Sequence, residues 1–216
     1  MTGTRYGPPP ITLEPRQAAL RAAAFHLLLR SPDPVPPRRL AAELGEETET
    51  VVADLDLLDR AGRIRRTADG DVLASLGLTL VPTRHRIAAG PAERHTWCAL
   101  DALGILGALA TDGWIESEAP GAGGRMRIDV RGGVPVGHPA AYVLFVAEQA
   151  PVASVVDQWC PLVNFFTDAE SARSWAASAR AEGRTLGLDE AARYATRLWL
   201  PLINAEARNG RAPETR

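Results

Sequence analysis

From Arg125 to Arg131 the chain alternates without a break, with Met126, Ile128 and Val130 set between Arg125, Arg127, Asp129 and Arg131. A period of two places the three apolar residues on one face, so this segment is a strand with one buried and one wet face. That pattern belongs to an antiparallel sheet. Trp114 to Glu118 is the expected partner, joined as a hairpin through the Gly121 to Gly124 loop. Ala141 to Val146 is almost wholly apolar, as in a strand buried on both faces.

The N-terminal part has a helical period instead. Ala19, Leu20, Ala23, Ala24, Leu27 and Leu28 predict a helix from Arg16 to Arg30. A proline-dense break, Ser31 to Pro37, precedes a short helix, Arg38 to Leu44, closed by Gly45. Thr48 is the expected cap of a third helix reaching about Ala61, with Val51, Val52, Leu55 and Leu58 as its apolar stripe. Ile64 to Arg66 and Asp71 to Leu73 then flank an Asp69-Gly70 turn. Three helices and a hairpin form a winged-helix-like pattern. A connecting stretch, Ser75 to Gly90, carries strand-like segments, and Arg94 to Leu109 reads as one helix. Two more helices are expected, Ala169 to Ala181 and Asp189 to Leu200, the second stopping before Pro201.

The expected fold class is α+β: an N-terminal winged-helix-like three-helix domain, then a mixed α+β domain with a small, mainly antiparallel sheet. The boundaries fall at 1–15 for a loose Gly- and Pro-rich arm, 16–80 and 81–204 for the two domains, and 205–216 for a polar tail. With 216 residues, 46% of them hydrophobic, the chain can bury a proper core. No segment approaches the roughly 18 apolar residues of a membrane helix, and Met1 to Pro10 lacks a signal-peptide pattern. The expectation is a cytoplasmic protein without a membrane partner.

A formal net charge of -2 offers no general attraction for nucleic acid. The third helix carries Glu47, Glu49, Asp54, Asp56 and Asp59 against Arg60, and Arg63, Arg65 and Arg66 form the only local basic cluster. A structural or docking role for this domain therefore fits better than DNA binding. All 24 basic residues are Arg. This uniform usage reads as compositional bias, so no single arginine stands out for its chemistry.

The chain has two cysteines, Cys98 and Cys160. Two thiols cannot make a disulfide scaffold; they are either inert core residues or a working pair, and composition alone favours the first. The context of Cys98 is more specific. In His95-Thr96-Trp97-Cys98-Ala99-Leu100-Asp101 the spacing of three puts the thiol and the carboxyl on one helix face. That face continues through Ala102, Ile105 and Leu109, so Asp101 is expected to be buried and to hold a proton more tightly than usual. If Thr96 caps the helix, its N-terminus would stabilise a Cys98 thiolate; a start at Pro91 would weaken that effect. Cys160 lies in the apolar run Trp159-Cys160-Pro161-Leu162-Val163-Asn164-Phe165-Phe166, which suits an enclosed pocket as well as a core.

The Trp-Cys-Ala-Leu-Asp stretch, Trp97 to Asp101, resembles the first active-site motif of the alkylmercury lyase family. The placement of Cys160 before Asn164-Phe165-Phe166 resembles the second, and the order of elements matches over most of the chain. The resemblance implies a catalytic domain at 81–204 and a catalytic trio of Cys98, Asp101 and Cys160. It further implies an organomercurial lyase that breaks carbon–mercury bonds. Mercury(II) is a soft cation and thiolates are its natural ligands, while cleavage at carbon requires an acid such as Asp101. Cys98, Cys160 and Asp101 would briefly hold the product metal. No organic cofactor is needed, external small thiols would remove the metal, and a mercuric reductase is the implied acceptor. Trp97, Phe165 and Phe166 are candidate walls of a substrate pocket. His95 and His138 are weaker candidates for metal or proton work. Pro161 stands where some family members carry a further cysteine, which puts extra metal relay in doubt. Competing readings are a non-enzymatic thiol metal binder, a metal-responsive winged-helix regulator, and a relative acting on another carbon bond.

Overall fold

The computed structural model describes residues 6–121 and 124–205. Helix α1 (Pro15–Arg30) starts with proline at its first position, where the missing N–H costs nothing. Helix α2 (Pro37–Leu44) stops at Gly45, whose φ of 68° is the left-handed conformation glycine tolerates. Helix α3 (Thr48–Arg60) takes Glu47, not Thr48, as its cap residue. Its Val51, Leu55 and Leu58 are buried, as the stripe predicts.

Strands β1 (Ile64–Arg66) and β2 (Val72–Ser75) form the expected hairpin, which runs on into a larger sheet. A two-residue turn, Leu76-Gly77, leads to β3 (Leu78–Thr79). Then β5 (Ala92–Thr96), β4 (His85–Ala89), β6 (Gly113–Glu118), β7 (Arg125–Arg131) and β8 (Val134–Val136) follow in spatial order. All eight strands are antiparallel to their neighbours, so the sheet is mainly antiparallel as expected but not small. It crosses residue 80, and both halves of the chain share it. A second sheet has β9 (Val143–Ala147) between β10 (Asn164–Phe166) and β11 (Gly183–Gly187), which explains why β9 is buried throughout.

Three expectations are corrected. The single helix from Arg94 is instead β5, followed by α4 (Ala99–Leu109). The Gly90-Pro91 turn folds β5 back on β4, and that ladder captures residues whose local pattern is also helix-compatible. Helix α5 (Ala169–Ala179) forms near its expected place, but α6 (Leu188–Ile203) runs through Pro201. The exposed proline removes one hydrogen bond, while buried Ile203 and the bond from His26 Nε2 to its carbonyl, at 2.9 Å, hold the last turn.

The third correction concerns the arm. Residues from Tyr6 onward are tied to the body. The Tyr194 hydroxyl donates to the Tyr6 carbonyl at 2.6 Å, Gln149 to the Pro8 carbonyl at 2.7 Å and Arg63 to the Pro9 carbonyl at 2.7 Å. The rest of the expected arm, 1–5, of the Gly121 to Gly124 loop, 122–123, and of the tail, 206–216, lies outside the described residues. Among the described residues no helix is long and apolar enough to cross a membrane.

Helix α4 organises the core. It is apolar nearly all round, with Leu100, Leu103, Ile105 and Leu106 buried. Eleven residues are too few to hold a helix in water alone. Burial of each large side chain, at roughly 1.5 to 3 kcal/mol, stabilises it instead. Helix α6 packs against it closely at Gly104, where a Cβ would lie 2.5 Å from the Trp199 ring. The indole therefore lies on the α4 backbone and projects toward the start of that helix.

Candidate active site

Cys98 occupies the N-cap of α4, and Asp101 is the third residue of its first turn. The Cys98 amide donates to Asp101 Oδ2 at 2.9 Å, and the Asp101 amide is directed back at the Cys98 side chain, a reciprocal cap. The thiol and carboxyl are thus neighbours, though through a cap and not through two helical positions on one face. Thr96 is not the cap; its hydroxyl donates to the Cys98 carbonyl at 3.0 Å.

Cys160 arrives from a different part of the chain. A π-helical turn, Val155–Trp159, runs into a 3-10 turn, Cys160–Leu162. This widened turn aims the thiol inward. The Ala99 amide then donates to the Val163 carbonyl at 3.2 Å, fastening the start of α4 to the segment just after Cys160. Through that contact one ligand atom each from Cys98, Asp101 and Cys160 lies within 4.8 Å of the other two, and all three residues are buried.

Burial governs the protonation of this trio. It pushes the Asp101 carboxyl up to about 7, although the Cys98 side chain and amide, and the charge of Arg21, favour the ionised form. Burial likewise pushes the Cys98 thiol well above its ordinary value, and Cys160 and Asp101 add to the effect. The helix does start at this thiol, with Cys98 rather than Thr96 as its cap, yet burial favours the protonated form. At Cys160 the Cys98 thiol favours the thiolate, but burial and the nearby Asp101 carboxylate leave this thiol raised as well.

A cavity of about 240 Å³ opens on the site. Asp101 and Cys160 line it, with indoles Trp97, Trp159 and Trp199 as aromatic walls and Pro8, Pro9, Pro10 and Ile11 on one side. Of the three candidate wall residues, Trp97 is among those that line this cavity. Phe165 and Phe166 are not among the lining residues; they lie in the core, Phe165 edge-on to His85 and Phe166 against Trp175. His95 is spent on the sheet, accepting the Thr83 amide at Nδ1, and His138 faces Asp189 at 3.3 Å. Neither joins the trio. A larger surface groove of about 480 Å³ lies elsewhere on the sheet, where Glu116 pairs with both Arg86 and Arg127.

The lining residues to which the sequence assigns no part in the site include Arg21, Arg63, Leu76 and Gly77. The Leu76-Gly77 turn has φ of 49° and 85°. A Cβ on Gly77 would lie 2.1 Å from Asp101 Oδ1, so only glycine lets the turn press against the acid. The Gly77 carbonyl accepts from the Trp97 amide at 2.8 Å, and the Leu76 carbonyl accepts from the Trp199 indole at 3.0 Å. A buried leucine in a left-handed conformation costs about 1 to 2 kcal/mol, and these bonds hold it there. An Asn-Gly or Asp-Gly pair would have signalled such a turn; Leu-Gly gives only the glycine.

Fold and site together define a mixed α+β protein with a buried dithiol and acid, a donor set suited to a soft metal ion. Comparison with known proteins is consistent with that chemistry. A model of the alkylmercury lyase family, MerB, matches residues 78–199. The alkylmercury lyase of Staphylococcus epidermidis is 32% identical over 154 residues, spanning 68% of this chain and 67% of that protein. The alkylmercury lyase of Bacillus cereus is 28% identical over 133 residues, spanning 60% of this chain and 57% of that protein. The crystal structure of the mercury-bound form of MerB2 superposes with a TM-score of 0.79 at 25% identity, covering 88% of this chain and 93% of that one. The chain belongs to the alkylmercury lyase family, enzymes that act on organomercurials.

Proposed function

We propose that this protein cleaves carbon–mercury bonds by protonolysis, with Cys98, Asp101 and Cys160 as its catalytic residues. The observation that carries this reading is the buried trio, two thiols and an acid within 4.8 Å of one another. An organomercurial carried by a small thiol exchanges onto one cysteine, whose proton leaves with the departing thiol. Both thiols resist ionisation, so the second needs a base, and a carboxylate titrating near 7 is suited to take its proton. The second sulfur then joins the metal and loads electron density onto carbon. Asp101 returns the same proton to that carbon as the carbon–mercury bond breaks. The products are a hydrocarbon and mercury(II) on two thiolates, and Asp101 is again ionised. External thiols take the metal away, with a mercuric reductase as a further acceptor, and no organic cofactor takes part.

A metal-sequestering site would not need a buried acid held by a helix cap, which favours the lyase over a passive thiol binder. A DNA-binding regulator is disfavoured by the charges around the first hairpin. Arg65 pairs with Asp59 and Asp157, Arg66 with Asp56 and Asp59, and Arg63 is buried. The winged-helix-like segment is proposed to serve the site, to which it contributes Arg21, Arg63, Leu76 and Gly77. The test is headspace gas chromatography of the purified protein with phenylmercury and excess 2-mercaptoethanol, beside Cys98→Ser and Cys160→Ser. Benzene over several turnovers, lost in both variants, is expected; mercury bound with no benzene would leave only the binder.

A further inference from the structure

Four buried side-chain nitrogens have no hydrogen-bond partner among the described residues: Arg21 Nε, Arg63 Nε, Arg66 Nε and Trp159 Nε1. Three of them belong to residues that line the cavity beside Asp101 and Cys160. Unsatisfied buried donors are rare, and three around one cavity call for an acceptor. Arg63 spends one nitrogen on the Pro9 carbonyl, whereas the Arg21 guanidinium makes no hydrogen bond among the described residues.

The charge balance gives the same answer. Two guanidinium groups and one carboxyl line the cavity, and Asp157, whose charge also reaches Cys160, already pairs with Arg65. Mercury does not remove the excess, because mercury(II) and two thiolates together are neutral. Free or metal-bound, the cavity wall keeps at least one uncompensated positive charge on side chains that are buried, where an unpaired charge is costly. An incoming anion would relieve it.

We propose that Arg21 and Arg63, with the Trp159 indole N–H, form a carboxylate subsite in the wall of the mercury cavity. Guanidinium groups fit a planar carboxylate by paired N–H bonds. The inference rests on the lyase reading and names a substrate class for it: organomercurials that present a carboxylate. That carboxylate comes either from the organic group on mercury or from the thiol that carries mercury in.

The two sources are separated by kcat/KM for benzene or benzoate release. One arm compares carboxyphenylmercury isomers with phenylmercury, using 2-mercaptoethanol in both. The other keeps phenylmercury and compares mercaptoacetate with 2-mercaptoethanol. The wild-type chain should favour the carboxylate in one arm by about tenfold or more, the scale of one good charged hydrogen bond. In Arg21→Met that ratio should fall to near one, whatever the absolute rate. Equal rates in both arms, or a preference that survives in both Arg21→Met and Arg63→Met, overturns the subsite. If a variant does not fold, the wild-type ratios decide. If no substrate turns over, the lyase reading fails first, and thermal protection of the mercury-free chain by benzoate, present or absent, decides the subsite alone.

Discussion

The amide of Cys98 donates to the carboxylate of Asp101 across 2.9 Å, so the acid that faces the thiols also caps the helix that carries it. This double duty separates two substitutions. Asp101→Ala leaves a buried N–H without an acceptor and should cost about 1 to 3 kcal/mol of stability. Asp101→Asn keeps an acceptor oxygen in place and should cost much less. Urea unfolding of the mercury-free proteins checks this, and equal losses in the two variants would mean the cap is not what Asp101 stabilises.

Two buried groups pull the pH dependence of stability in opposite directions. Asp101, held at about 7 in the fold, binds a proton there that the unfolded chain has lost above about 4. Its contribution is therefore complete below about 4 and disappears as pH rises through 7. His85 is pushed down to about 3 by burial, next to the Ser117 hydroxyl at 2.8 Å. Its neutral form contributes stability above about 6.5, lost as pH falls toward 3. Between about pH 4.5 and 6.5 the two slopes oppose each other. Stability of His85→Gln should fall with rising pH across that window, and stability of Asp101→Asn should rise. Parallel curves in both variants would contradict the assignment.

Gly77→Ala tests the turn that presses on Asp101. A methyl group there would overlap the carboxylate, and its φ of 85° disfavours any side chain. Overpacking and the left-handed backbone together should cost about 2 to 4 kcal/mol, with hydrocarbon release reduced more than the population of folded protein. Calorimetry beside the gas-chromatographic rate measures both.

The strap from Tyr6 to Ile11 covers one side of the cavity through carbonyls held by Tyr194, Gln149 and Arg63. A chain shortened to begin at residue 12 should expose the thiols. Reaction with a bulky aromatic disulfide should then be at least about tenfold faster than in the full chain. An unchanged rate would show that the strap does not limit access.

The sequence made some of this legible for physical reasons. The alternation at Arg125–Arg131 and the apolar run at Val143–Ala147 read directly as strands, because burial on one face or two leaves a periodic trace. The Cys98–Asp101 spacing and the apolar setting of Cys160 marked the site. Strand β5 was hidden because its pairing with β4 is a tertiary effect that its own residues do not announce. Arg21 and Arg63 were hidden by number, as two among 24 arginines with nothing local to mark them as buried. Leu76 was hidden because nothing about a leucine signals positive φ.

Whether the proton that reaches carbon comes from Asp101 is decided by a single-turnover measurement. Wild type and Asp101→Asn would each be loaded with one equivalent of phenylmercury, then assayed for benzene and for mercury retained on the protein. Wild type should release benzene, and Asp101→Asn should retain all of its mercury while releasing benzene about 100-fold or more slowly. Benzene released by Asp101→Asn at the wild-type rate would contradict it.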